Sequence, residues 1–286
     1  MHRRIAPFML AACMLAAFAF AGCAGTPPTR PSGGDSIPGE ASVTTDAVRR
    51  MYVEGFAALA ASVPPQEPGS PYNRLRRIVE FMEDRVRWAE IRGDSYFALE
   101  AGSRDGAWLV VVPPGHESLA IMRGAYMIEA SPSITALLIK PAPVTAPWAG
   151  IFLVHEASHL LDLVSGKEPL DPTRAQFLMG ELQAYRAELA AADILSRGAL
   201  PARIDELLSA WAARGIDELT AHVESLSPGD RASLDATMPA GEPASPSERA
   251  LRDGFYYLAI HLRFTAARPD GEREMLDALA RLYPEH

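Results

Sequence analysis

Cysteine is almost missing from this sequence. Cys13 and Cys23 are the only two in 286 residues, and both stand close to the N-terminus. Everything beyond Cys23 therefore lacks a thiol, which excludes disulfide cross-links, cysteine nucleophiles and thiolate metal sites there. Any metal bound downstream must be held by histidine and carboxylate. Positive charge is also scarce, with 27 Lys and Arg against 36 Asp and Glu. No basic patch gathers the cations, which argues against a nucleic-acid partner. No internal repeat is visible.

Charge is absent altogether from one stretch, Ile5 to Ala21. His2, Arg3 and Arg4 precede this apolar run, and Phe20-Ala21-Gly22-Cys23 closes it. A basic start, an apolar run and a small-residue exit describe an export signal. At about 17 residues the run is marginal for a membrane span, the other reading of the same segment. The segment resembles a bacterial lipoprotein signal. That resemblance implies cleavage before Cys23, lipidation of Cys23 and loss of Cys13 with the leader. Residues 1–22 are thus expected to be a signal peptide. The remainder would be lipid-anchored in a bacterial cell envelope, on its periplasmic or extracellular face. Loss of Arg3 and Arg4 and of no acid leaves 25 basic and 36 acidic residues, a net charge of −11.

Residues 23–44 are rich in Pro, Gly, Ser and Thr and have too little apolar content to fold, so they read as a tether. The remaining 45–286 suffice for one sizeable domain or two small lobes around a cleft. A helix is expected from Thr45 through Met51, Phe56 and Leu59, and after four prolines a second from Tyr72 to about Glu90. Tyr96–Leu99 and Trp108–Val112, flanking Gly102-Ser103-Arg104-Asp105-Gly106, read as a β-hairpin. Further strands are expected near Ala125–Ile128 and Ile134–Lys140. From Pro147 the pattern is helical almost to the end, with Pro239–Pro246 as the one later stretch rich in breakers. The fold class expected is α+β, predominantly helical, with a small, mainly antiparallel sheet.

The chemistry concentrates in His155-Glu156-Ala157-Ser158-His159, an H-E-x-x-H. On a helix, positions i and i+4 share a face, so both imidazoles can bind one ion, with Glu156 beside them to take a proton from water. Thr145 and Pro147 are good helix-start residues and Gly166 a good stop. Between them Trp148, Phe152, His155, His159 and Asp162 keep helical spacing. Leu153, Val154, Ala157, Leu160, Leu161 and Val164 cover much of the rest, so this helix should be largely buried. Buried histidines need polar partners.

The segment resembles the active-site helix of the zincin metallopeptidases, over roughly residues 134–190. The resemblance implies one zinc ion per chain, held by His155 and His159, with Glu156 as general base for hydrolysis of peptide bonds. It also likens the strand at Ile134–Lys140 to an edge strand that holds an extended peptide. A catalytic zinc of this type takes three protein ligands. The metzincin extension would need Gly at 162 and His or Asp at 165, where Asp162 and Ser165 stand. The gluzincin pattern takes a glutamate from a following helix. Glu181, in Gly180-Glu181-Leu182-Gln183-Ala184, matches it, with small neighbours that let helices approach. Glu188, Asp162, His222 and His261 are rivals for the third ligand or its surroundings. Tyr185, Tyr256, Tyr257 and His261 are candidates for facing the metal, none assigned. The expected activity is that of a membrane-tethered zinc peptidase acting on a peptide or protein substrate. The alternatives are a non-catalytic, metal-binding envelope lipoprotein that binds a partner, and a cell-wall amide hydrolase.

Overall fold

A computed structural model describes residues 44–92, 95–98, 106–113, 125–131, 134–167, 172–209 and 215–284. The expected leader, Cys23 and the tether lie outside these residues. No helix among the described residues is long and apolar enough to cross a membrane.

Helix α1 (Thr45–Ala60) is capped by Thr44, whose hydroxyl accepts from the Ala47 amide, and it buries Val48, Tyr52, Gly55 and Leu59. This stripe follows the 3.6-residue period of an amphipathic helix. Helix α2 (Asn73–Arg85) likewise buries Leu75, Ile78, Val79 and Met82. It is shorter than its apolar spacing predicts, because the chain turns extended at Val86 and continues as strand β1 (Val86–Arg92). Val86 and Trp88 suit a strand. Their registers opposite Ala107 and Leu109 place them in a ladder that replaces the helical hydrogen bonds.

Strands β2 (Ser95–Ala98), β3 (Gly106–Val111), β4 (Ala125–Ser131) and β5 (Ile134–Ile139) complete a sheet of order β2-β1-β3-β5-β4. Its centre is parallel: β3 runs parallel to both β1 and β5. Only β2 on β1 and β4 on β5 are antiparallel. The α+β class and the helical majority hold, but the sheet is not mainly antiparallel. The expected hairpin of 96–99 with 108–112 does not form either, since β2 pairs with β1 while β3 lies between β1 and β5. The physical reason is burial. Trp108, Leu109, Val110 and Val111 are all buried, an unbroken apolar run that needs cover on both faces and both edges. Strands β2 and β4 bring the chain back to the starting end of the sheet, so the parallel pairs need no crossover helix. The strand at 134–140 is not an edge. Flanked by β3 and β4, β5 has no free backbone edge to offer an extended peptide.

Helix α3 (Ala146–Val164) begins after Thr145 with Pro147 in its first turn and stops at Ser165, before Gly166 at φ 67°. Both ends agree with the sequence reading, and the helix is buried on nearly every side. Two glycines set its crossing with α1. A Cβ on Gly55 would stand 1.8 Å from the Ala146 carbonyl oxygen, and one on Gly150 would stand 2.6 Å from that of Gly55. Helix α4 (Arg174–Ser196) packs along α3 after a capping box formed by Thr173 and Gln176.

The helical remainder is α5 (Ala199–Ser209), α6 (Ile216–Glu224), α7 (Pro228–Asp235), α8 (Pro246–Ala266) and α9 (Gly271–Leu282). Helix α8 anchors the start of α3. The Glu248 carboxylate accepts from the Thr145 amide at 3.0 Å and the Thr145 hydroxyl at 2.6 Å. Arg252 binds Glu248 and Asp235 and lies over the Trp148 ring at 5.0 Å. A separate apolar cluster, including Phe177, Tyr185, Leu258, Leu279 and Tyr283, ties α4, α8 and α9 together.

Candidate metal centre

His155 and His159 stand one turn apart on α3, their ring centroids 5.2 Å apart. Glu181 reaches them from α4, where the half-buried Gly180 and the buried Ala184 flank it. Its Oε1 is 3.3 Å from His159 Nε2, and its Oε2 is 3.6 Å from His155 Nε2. One ligand atom from each of the three residues falls within 4.8 Å of the other two. Among the described residues this is the one group of at least three such side chains gathered so closely. Exposure is 2% for His155, 3% for His159 and 0% for Glu181, so water cannot solvate these groups in bulk fashion.

His155 Nε2 and Glu181 Oε1 are buried and make no hydrogen bond. A buried polar atom left in that state costs about 1–3 kcal/mol, and a cation between the two would satisfy both. Two imidazoles and one carboxylate are a donor set that could hold a metal ion. The charge balance points the same way. Glu156, at 5% exposure, and Glu188, at 1%, crowd the same region as Glu181, so three buried carboxylates face two imidazoles.

Burial pulls the His155 imidazole toward its neutral form, but the nearby Glu181 carboxylate and the bond to Glu188 outweigh it and raise its pKa to about 10. Burial pushes Glu181 up, yet His159 and His155 pull it down further, and its carboxyl titrates well below the usual range. Burial raises Glu188, helped by the charges of Glu156 and Glu181 and opposed by its bond to His155.

Of the rivals for the third position, Glu188 stays at the site and the others make contacts away from it. Glu188 meets His155 at Nδ1, 3.2 Å away, on the ring nitrogen that does not face Glu181. Asp162 pairs with Arg74 of α2 at 2.6 Å, and the same guanidinium donates to Ser158. His261 contacts Thr220 and the Tyr257 carbonyl, and His222 is half-buried on α6. Neither joins the group. The Tyr256 hydroxyl donates to Asp235 at 2.6 Å. Tyr185 sets its ring on His155 with centroids 4.5 Å apart, and its hydroxyl meets that of Tyr283.

Sequence reasoning missed Tyr283 and Arg74. Tyr283 donates to Glu181 at 3.0 Å. Neither residue belongs to a local pattern, because each is brought in by a helix far away along the chain. Comparison with protein families, with curated proteins and with solved structures finds no match for this chain.

Proposed function

We propose that this protein is a zinc-dependent peptidase of gluzincin type, tethered to a bacterial cell envelope by a lipid on Cys23. The observation that carries the reading is the convergence of His155, His159 and Glu181, buried and within 4.8 Å of one another, on an H-E-x-x-H helix. These three side chains would hold one zinc ion, a donor set usual for hydrolytic zinc. When bound, zinc supplies Lewis acidity, bringing the pKa of a coordinated water toward about 7.

The chain's own residues account for the remaining steps. Glu156 follows His155 directly on α3 and is buried beside the two imidazoles. Its carboxylate takes the proton of the attacking water and returns it to the nitrogen of the leaving amine. Glu188 holds His155 by Nδ1, which leaves Nε2 for the ion. Helix α8 fixes the start of α3 through Glu248 and Thr145, which keeps the two imidazoles in register with α4.

The test uses the full chain purified in detergent, assayed for zinc content and for cleavage of peptide libraries. The expected result is about one zinc per chain, strongly weakened in Glu181→Ala. Glu156→Gln should keep the zinc and lose cleavage. Wild-type protein that takes up no zinc when zinc is supplied would make both histidines structural and end the enzyme reading.

A further inference from the structure

We infer that Tyr283 is the positioning residue for Glu181, and that metal binding is thereby coupled to the docking of the C-terminal helix α9. The inference rests on the reading of His155, His159 and Glu181 as metal ligands.

A phenol has one proton to donate, and an ionised carboxylate can only accept. Tyr283 Oη lies 3.0 Å from Glu181 Oε2, so its proton is committed there. The 2.8 Å contact between the Tyr185 and Tyr283 hydroxyls must then be donated by Tyr185. A directed chain results, from Tyr185 to Tyr283 to Glu181. It engages Oε2 and leaves Oε1 turned to His159 Nε2 at 3.3 Å. The terminal torsion of a glutamate is broad and roughly two-fold. Within the fully buried Glu181 site, this hydroxyl fixes the carboxylate's turn, with Oε2 toward His155 Nε2 at 3.6 Å and Oε1 toward His159.

Tyr283 is itself held firmly. It is 1% exposed, and its ring meets Phe177 edge-on with centroids 5.3 Å apart. Arg174, at the start of α4, donates to the Tyr283 carbonyl at 3.2 Å and to that of Ala280 at 3.1 Å. The end of α9 is thus clasped to the helix that carries Glu181. The partner tyrosine touches the other side of the site, since the Tyr185 ring rests on His155. One pair of phenols therefore contacts both a carboxylate and an imidazole of the centre. By linkage, whatever seats α9 favours the metal, and the metal favours the seating of α9 by the same factor.

The experiment compares metal-stripped full-length wild type, Tyr283→Phe and Tyr185→Phe in detergent. Zinc affinity is measured by competition with a chromophoric chelator, and hydrogen exchange in α9 is followed with and without zinc. Each substitution keeps the ring and deletes one hydroxyl, and far-UV circular dichroism verifies folding. Tyr283→Phe should bind zinc about 10–100-fold more weakly, as loss of a group orienting a ligand generally does. Tyr185→Phe should weaken binding less. Zinc should slow exchange in α9 of the wild type and do so less in Tyr283→Phe. A merely structural tyrosine would lower stability without moving zinc affinity, so a folded Tyr283→Phe with wild-type affinity overturns the inference. Should Tyr283→Phe not fold, wild-type affinity in Tyr185→Phe with no zinc-dependent protection of α9 overturns it equally. A wild type that binds no zinc removes the metal reading, and this inference with it.

Discussion

Glu188 Oε2 lies 3.2 Å from His155 Nδ1, while Glu181, two turns earlier on the same helix, faces the other nitrogen of that ring. Helix α4 thus grips one imidazole from both sides with two carboxylates of different use. With a proton on Nδ1 given to Glu188, the nitrogen that a metal ion would take is Nε2, the one that faces Glu181. A carboxylate behind a metal-binding imidazole also raises the basicity of the ring.

Glu188→Ala should therefore weaken zinc binding by about 10–100-fold without removing any ligand. Competition titration against a chelator measures this directly. Wild-type affinity in the variant would show that packing alone orients the His155 ring.

The pH dependence follows from the same contacts. In the metal-free protein the His155 pKa is raised from 6.5 to about 10. Its contribution to stability is fully present below pH 6.5 and is lost as pH rises toward about 10. Glu188 is also raised, so it acts in the same direction. Glu181 is lowered from 4.5, so its contribution is present above pH 4.5 and is lost as pH falls through its depressed value. Zinc must displace the His155 proton, so the rise in Tm on adding zinc should grow with pH over this alkaline window. Thermal melts in chelator and in zinc, from roughly pH 6 to 9, check it. A zinc-induced shift that stays flat would show that His155 is already neutral in the metal-free fold.

Arg252→Met tests the anchor at the start of α3. Arg252 is 0% exposed, and it serves Glu248 at 2.7 Å and Asp235 at 3.1 Å, both also buried. Removing one member of such a group leaves uncompensated buried charge and costs about 3–5 kcal/mol. Urea denaturation should show a loss of that size. A loss below about 1 kcal/mol, typical of exposed ion pairs, would mean that water reaches the two carboxylates.

Gly55→Ala tests the crossing of α1 and α3. Alanine is the better helix former by up to about 1 kcal/mol. The new Cβ would nevertheless stand 1.8 Å from the Ala146 carbonyl oxygen, a backbone atom that cannot turn aside. The two helices must separate, and a net loss of about 1–3 kcal/mol in chemical denaturation is expected. A gain in stability would show that α1 shifts without cost.

Much of the site was legible in the chain, and the reason is distance along it. Pro147 in the first turn of α3, its stop before Gly166 and the shared face of His155 and His159 depend on neighbours within a turn or two, whereas Thr145 at its start is held by the distant Glu248. Hydrogen bonding and helical period act over that range whatever the rest of the fold does. Glu181 was legible for a related reason: α4 follows α3 after a short connection, and such helices pack side by side.

Only the tertiary structure decided the rest. The unbroken apolar run Trp108–Val112 implies a strand covered on both faces, but which strands lie beside it is set by segments distant along the chain, so nothing local told that β3 joins β1 and β5 instead of β2. Val86 kept helical spacing with Met82, and the sheet claimed it for β1. Asp162 and Glu188 both read as possible ligands until Arg74 and His155 Nδ1 were seen to engage them. Tyr283 stands 102 residues from Glu181 and meets it only because α9 packs on α4. Contacts of that kind come from which buried surfaces meet when the helices pack, and no periodicity within either helix encodes them.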